Sequence, residues 1–351
     1  MYSGVERWCV NKIRKGFSVT NQNMKKKIIV SLVVFFVCFF STEYIFSWGF
    51  FAHKRINRMA VFTLPPEMFS FYKKHIDYIT EHAVDPDSRR NLVVDEAPRH
   101  YIDLDHYGEH PLDSVPKFWK YAVAKFTEDT LKAYGIVPWH IEVMMRRLTD
   151  AFKQGNLDRI LKVSTELGHY VGDSHVPLHT TENYNGQMTN QKGIHGFWES
   201  RIPELKAGDY DYFVGRAVYI DKPINKAWET VGASFSEKDS VLLFEAELNK
   251  KFSTDKKYSF ENRGATVTKV YSQEYTEAYD KMLDGMVERR MRASIITVGS
   301  MWYTAWVNAG QPNLSRFETQ EVSDSLRKAN EAEEYLWKHG KPLEKVRGHE
   351  D

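Results

Sequence analysis

Cysteine is nearly absent. The 351-residue chain has two, Cys9 and Cys38, and both fall in the first 47 residues, which read as a leader. A chain processed behind that leader carries no thiol. That excludes disulfides and thiolate metal sites and leaves imidazole and carboxylate as the metal donors. A long apolar run is missing too. The longest, Ile28 to Phe40, is 13 residues without a charge, short of the about 20 a spanning helix needs. Charge of one sign is not in excess: 48 Lys/Arg face 47 Asp/Glu, a net +1. Residues 1–47 take away seven of the basic and two of the acidic residues, so 41 and 45 remain, a net charge of −4. Such a chain does not advertise a polyanion-binding surface, although bound cations would reverse the sign locally. Sustained β alternation, internal repeats and low-complexity blocks are also lacking.

The leader has a recognisable layout. Met24-Lys25-Lys26-Lys27, the apolar run and a polar stretch after it form a secretory signal. Met24 reads as the true start, cleavage falls before Trp48, and the destination is extracellular, periplasmic or the cell envelope. A retained membrane anchor is the alternative. Behind the leader the pattern is helical. Apolar spacing predicts helices over 65–80, 115–134, 138–153, 157–173, 226–252 and 271–308, punctuated by Gly135, Gly155-Asn156 and several prolines. Residues 322–340 read as a charged exposed helix. The expected fold is all-α, a single multi-helix domain over 48–312, with 313–351 as a charged helical extension. The 9 Trp, 19 Tyr and 21 Phe mark large side chains between helices or near a cleft.

The chemistry concentrates between Leu167 and Ser200. His169 and Asp173 are four apart, as are His195 and Glu199, and residues four apart share one helix face. Each pair can close on one metal. His179 lies just past Pro177, where a helix stops. An all-N/O donor set without thiolate suits zinc and points to catalysis more than to structure. Further donors are Asp85 in HAVDPDSRR, His100 in RHYIDLDHY, and His53 five residues after Trp48. His106 and His175 are candidates to support the ligands from behind. His75, His82, His110, His140, His339 and His349 read as ordinary core or surface residues.

Taken in order, these elements resemble the superfamily of zinc phospholipases C and single-strand nucleases. There an N-terminal Trp, two His, an Asp, H-x3-D-x5-H and H-x3-[DE] hold three zinc ions in an all-helical domain. The resemblance covers about residues 48–312 and includes RRMRASIITVGSMWYTAWVNAGQP, which looks like the family's last core helix. It implies one zinc on Asp85, His100, His169 and Asp173, and a second on His179, His195 and Glu199. The third falls to Trp48, by its free amine and carbonyl, with His53 and Asp173. Asp173 would bridge two ions. Signal removal would then be a condition for assembling the site. The implied activity is phosphodiester hydrolysis by a metal-bridging hydroxide, with Asp85 orienting or deprotonating the water and Asp173 also catalytic.

The substrate branches two ways. Glu199 resembles the phospholipase branch, whereas the Trp48-to-His53 spacing resembles the nucleases. The phospholipase's choline cage would need Glu, Tyr and Phe where Phe51, Pro86 and Ala97 stand. Tyr101 and Asp103 resemble the nuclease pair that stacks on a base and reads its edge. The nuclease's Arg, three residues past the zinc-binding Asp, falls on Ser88 when counted from Asp85, with Arg89 and Arg90 beside it. The polar loop 180–193 joins two ligands, and Asn183, Tyr184, Asn185 and Asn190 are candidate substrate contacts or parts of a solvated connector. The expectation is a zinc phosphodiesterase leaning to single-stranded nucleic acid or nucleotides, acting as a monomer without a protein partner. A phospholipase C on a non-choline lipid is the alternative, and a non-catalytic binding module with a degenerate site is the alternative of another kind.

Overall fold

The structure, a computed structural model, describes residues 50–263, 266–341 and 343. The leader, Trp48 and the signal reading lie outside the described residues. Those described form an all-α protein with one small hairpin. In chain order the helices that place the site are α1 (Phe50–Ala60), α2 (Pro66–Lys74), α3 (Ile76–Glu81), α4 (Asp85–Arg89), α5 (Trp119–Phe126) and α6 (Glu128–Ala133). After them come α7 (Val137–Gln154), α8 (Leu157–Ser174), α9 (Pro223–Lys251), α10 (Gln273–Leu283), α11 (Met286–Asn308) and α12 (Asp324–His339).

The helix α8 is the axis of the molecule. Asn156 caps it by accepting from the Arg159 amide at 2.9 Å. From Val163 to Ser174 every residue is buried, because α7, α11, α1 and α9 pack around it. A helix covered on all sides must pair its polar groups internally. Ser164 does so with the Tyr72 hydroxyl at 2.9 Å and, by its carbonyl, with Trp302 Nε1 at 3.0 Å. The Thr165 carbonyl accepts from Asn57 Nδ2 at 3.0 Å. His169 and Asp173 face the same interior.

Several expected helices are broken. The 65–80 segment divides at His75, and 115–134 divides at Thr127, whose φ is 67°. The 271–308 segment divides at Asp284 and Gly285, with φ of 50° and 72°. At Thr127, Asp284 and Gly285 a positive φ ends the helix through backbone geometry, to which apolar spacing is blind. The hairpin was not expected either. Tyr258–Arg263 (β1) pairs antiparallel with Thr266–Tyr271 (β2), Tyr258 opposite Tyr271. Its strands are largely polar, so no alternation announces them. It is held from outside: Tyr271 stacks on Phe197 at 3.8 Å, and Arg201 pairs with Glu261 at 3.0 Å.

The C-terminal helix α12 is mostly exposed, and Leu326 is its buried residue. It lies on the body through polar contacts and an aromatic pair. Ser323 donates its amide to Asp158 at 3.0 Å, Lys162 reaches Glu333 at 3.2 Å, and the Trp337 ring sits 5.6 Å from Phe50.

Candidate metal centre

Helix geometry places the first pair. His169 and Asp173 stand on one face of α8, with His169 Nε2 3.2 Å from Asp173 Oδ2. Helix α1 crosses that face at close range because α8 offers two glycines there. A Cβ on Gly168 would lie 2.0 Å from Asn57 Oδ1, and one on Gly172 would lie 3.0 Å from His53 Nδ1. The close crossing stacks the His53 ring on His169 with centroids 4.0 Å apart and brings His53 Nε2 to 3.2 Å from Asp173 Oδ1. Asp173 therefore presents one oxygen to each of two groups of donors.

The acidic partner of His169 is Asp87, not Asp85. Asp87 Oδ1 lies 3.4 Å from His169 Nε2 and 3.5 Å from His100 Nδ1. Asp85 instead turns to His82, with Oδ2 2.9 Å from Nδ1. Residues two apart on a helical turn point to different sides, so only one of them can face α8. The sequence offers two aspartates, and the spacing does not choose between them. His100 ends the tight turn Ala97–Arg99 and sets Nδ1 3.0 Å from Asp173 Oδ2 and 3.1 Å from His169 Nε2.

The remaining ligands form a neighbouring group. His179 sits in the 3-10 turn Pro177–Thr180 directly after α8. His195 and Glu199 lie on a short helical turn that widens into the π-helical segment Phe197–Arg201 rather than on a regular α-helix. Their side chains still converge: Glu199 Oε2 is 3.0 Å from His195 Nε2 and 3.4 Å from His179 Nε2.

Three donor groups result: His53, His169 and Asp173; Asp87, His100 and His169; and His179, His195 and Glu199. Their chemistry fits zinc. Ligand atoms about 2.0–2.1 Å from a tetrahedral zinc lie roughly 3.3 Å from one another, close to the separations above. Tautomers are set from behind. His169 Nδ1 lies 2.9 Å from the Ala83 carbonyl and His179 Nδ1 2.6 Å from the His100 carbonyl. Both nitrogens must donate there, so each ring turns a lone pair inward from Nε2. Asp87 Oδ2, His179 Nε2 and Glu199 Oε2 are buried yet make no hydrogen bond, an arrangement that costs free energy unless a cation completes it. Charge supports the same reading. Burial would raise Asp173, but His169 and His179 hold it well below the usual carboxylate range. Burial lowers His169, yet Asp173 and Asp87 together drive it well above an ordinary imidazole. A cation would take the place of that proton.

The expected substrate contacts are placed differently. Tyr101 is fully buried and donates its hydroxyl to the Ala133 carbonyl at 3.2 Å, so its ring is core and offers no face for stacking. Asp103 is 5% exposed, and its carboxyl is pushed up to about 9 by burial, with Asp105 and Glu182 adding to the effect. Asn183 spends its side chain on Thr189 Oγ1 at 3.0 Å and on the Met188 amide at 2.8 Å. Asn185 accepts from the Gly193 amide at 2.8 Å. Both asparagines therefore close the 180–193 loop on itself. The Tyr184 and His195 rings stand roughly perpendicular with centroids 6.0 Å apart, and Asn190 is an exposed residue with φ of 60°. His106 pairs with Glu182 at 3.1 Å, and His175 lies 2.8 Å from the Val171 carbonyl.

Fold and site together define a helical protein with buried, thiol-free donor groups able to hold metal ions. No protein-family model and no curated protein matches the chain.

Proposed function

We propose that this protein is a zinc-dependent phosphodiester hydrolase of the phospholipase C and single-strand nuclease type, acting on single-stranded nucleic acid or nucleotides. The observation that carries the reading is the double engagement of Asp173, whose two oxygens face His53 on one side and His100 with His169 on the other. A carboxylate shared in this way suits two neighbouring cations. In the same reading the secretory leader is removed before Trp48. The freed amine then joins His53 and Asp173, for a total of three zinc ions.

When bound, zinc supplies Lewis-acid polarisation of the phosphate oxygens and water acidic enough to react near pH 7. The chain's own residues do the rest. With Nδ1 directed at the carbonyls behind them, His169 and His179 turn Nε2 inward as the nitrogen that a cation would take in place of a proton. Asp87, whose Oδ2 is buried and free of hydrogen bonds, takes over the role of orienting the attacking water and accepting its proton. Counted from Asp87, the nuclease-type arginine three residues on becomes Arg90, which is buried. Burial pushes the Asp103 carboxyl up to about 9, which would suit it to offer an O–H to a base edge. The choline-cage positions remain unsuitable, because Ser88 follows Asp87 where the phospholipase has Tyr.

The test is hydrolysis by zinc-loaded protein beginning at Trp48, with single-stranded DNA, RNA and mixed phospholipids compared and zinc per chain measured. Turnover of the nucleic acids with zinc well above one equivalent is expected. Turnover confined to lipids moves the assignment to a phospholipase C, which Glu199 as the last ligand resembles. Zinc without any turnover leaves a binding module.

A further inference from the structure

Glu96 is a fully buried carboxylate outside the three donor groups. The chain reaches it through Asp95, whose φ of 63° turns the loop inward, and runs directly into the turn that ends at His100. Its Oε2 accepts from Arg89 Nε at 3.0 Å and from Arg99 Nη1 at 2.6 Å, and its Oε1 accepts from the Tyr170 hydroxyl. Arg89 is fixed in turn, donating to Glu166 Oε1 at 2.8 Å and to the Tyr170 hydroxyl at 3.3 Å. Two guanidiniums and a phenol thus hold the carboxylate in one orientation.

That orientation aims Oε1 at His100, 3.6 Å from Nε2. Nε2 is the ring nitrogen opposite Nδ1, which faces Asp87, His169 and Asp173. His100 Nε2 is buried and has no hydrogen bond. His169 and His179 have backbone carbonyls behind them, and in His100 Glu96 occupies the equivalent place. An imidazole ligand commonly donates its other N–H to a carboxylate, which fixes the tautomer and makes the ligating nitrogen more basic.

We propose that Glu96 is a positioning residue of the metal centre: its Oε1 is the acceptor for the Nε2–H of His100, which keeps the proton on Nε2 and leaves Nδ1 free for a cation. The assignment rests on the reading of the donor groups as a zinc centre. Arg89, Arg99 and Tyr170 hold Glu96 in place, and their contacts with it do not reach His100.

The experiment compares Glu96→Gln with Arg99→Met in the full mature protein. Glu96→Gln keeps the shape and removes the charge facing His100. Arg99→Met loosens the same network without touching the ring. Zinc affinity is read by chelator competition, and thermal stability is read beside it. Both variants should lose stability. Glu96→Gln should lose zinc affinity by about tenfold or more, as losses of groups behind a ligating histidine do, and Arg99→Met by clearly less, because Arg89 and Tyr170 still hold the carboxylate. Equal affinity in the two variants would make Glu96 a purely structural anchor and overturn the proposal. Nitrogen NMR of His100 in the unaltered protein gives a second reading that needs no variant. A proton on Nε2 is expected, and a proton on Nδ1 would refute the proposal even if Glu96→Gln fails to fold. A protein that takes up no zinc at all would defeat the proposed function, while the NMR tautomer would still decide the role of Glu96.

Discussion

A carboxylate's role here depends on which way a single turn of helix faces. Asp85 and Asp87 are chemically equal, but only Asp87 lies within reach of His100 and His169. Asp87→Asn should lower zinc content and cut turnover about 100-fold or more, whereas Asp85→Asn should change either by less than about threefold, since its partner His82 is not a donor to the centre. Elemental analysis and initial rates on the two variants check this, and the reverse ranking would return the ligand role to Asp85. Asp103 makes a prediction about pH. Burial raises its carboxyl from 3.8 to about 9. Between those values the folded state holds a proton that the unfolded chain has released, so this group costs more stability as pH rises and least near pH 4. Asp103→Asn keeps the shape and removes the ionisation. It should stabilise the protein, with a gain that grows by about 3.5 kcal/mol between pH 6 and pH 8.5, at about 1.4 kcal/mol per unit. Denaturant unfolding at both pH values decides it, and a gain independent of pH would show that the carboxyl is not displaced.

At the scale of elements, the centre exists because α1 can press against α8. The contact needs Gly168 and Gly172, since any side chain there meets Asn57 or His53. Gly168→Ala should cost about 1–3 kcal/mol by overpacking. It should also move His53, one turn before Asn57 on α1, away from Asp173, with loss of zinc from that group. Calorimetry and zinc content measure the two effects. Asn57→Ala combined with it should restore part of both, because the overlapping atom is gone. Undiminished zinc in Gly168→Ala would mean that the helices separate without disturbing the ligands. The π-helical segment Phe197–Arg201 belongs to this scale as well. The four-residue spacing of His195 and Glu199 was legible as a pair, but the widened turn that carries it was not.

For the whole molecule, the sharpest consequence joins processing to chemistry. Trp48 lies outside the described residues, yet His53, five residues on, already points at Asp173. In the proposed reading an extra residue before Trp48 displaces the amine from the third zinc. Protein beginning Met-Trp48, with the Met retained, should keep its helical content because the core around α8 is untouched. It should hold one zinc fewer and lose most of its activity. Mass spectrometry fixes the N-terminus of both forms, and elemental analysis with rate measurements compares them. Equal zinc and equal rates would leave the leader as an address alone.

The sequence by itself determined the helical class, most of the long helices, and a short run of donors in which His169, Asp173, His179, His195 and Glu199 stand close. Local spacing was enough for these, because a helix converts a separation of four residues into one face. Tertiary structure decided what local spacing does not encode. It chose Asp87 over Asp85 by the direction of one turn, and it withdrew the Tyr101 ring into the core. It broke helices at left-handed residues such as Thr127 and Asp284, and it folded a polar hairpin against Phe197. It also set Glu96 behind His100 through Arg89 and Tyr170, residues brought together from separate segments of the chain. Each of these outcomes depends on contacts between segments distant in sequence, where the free energy of packing and of pairing buried charge outweighs local preference.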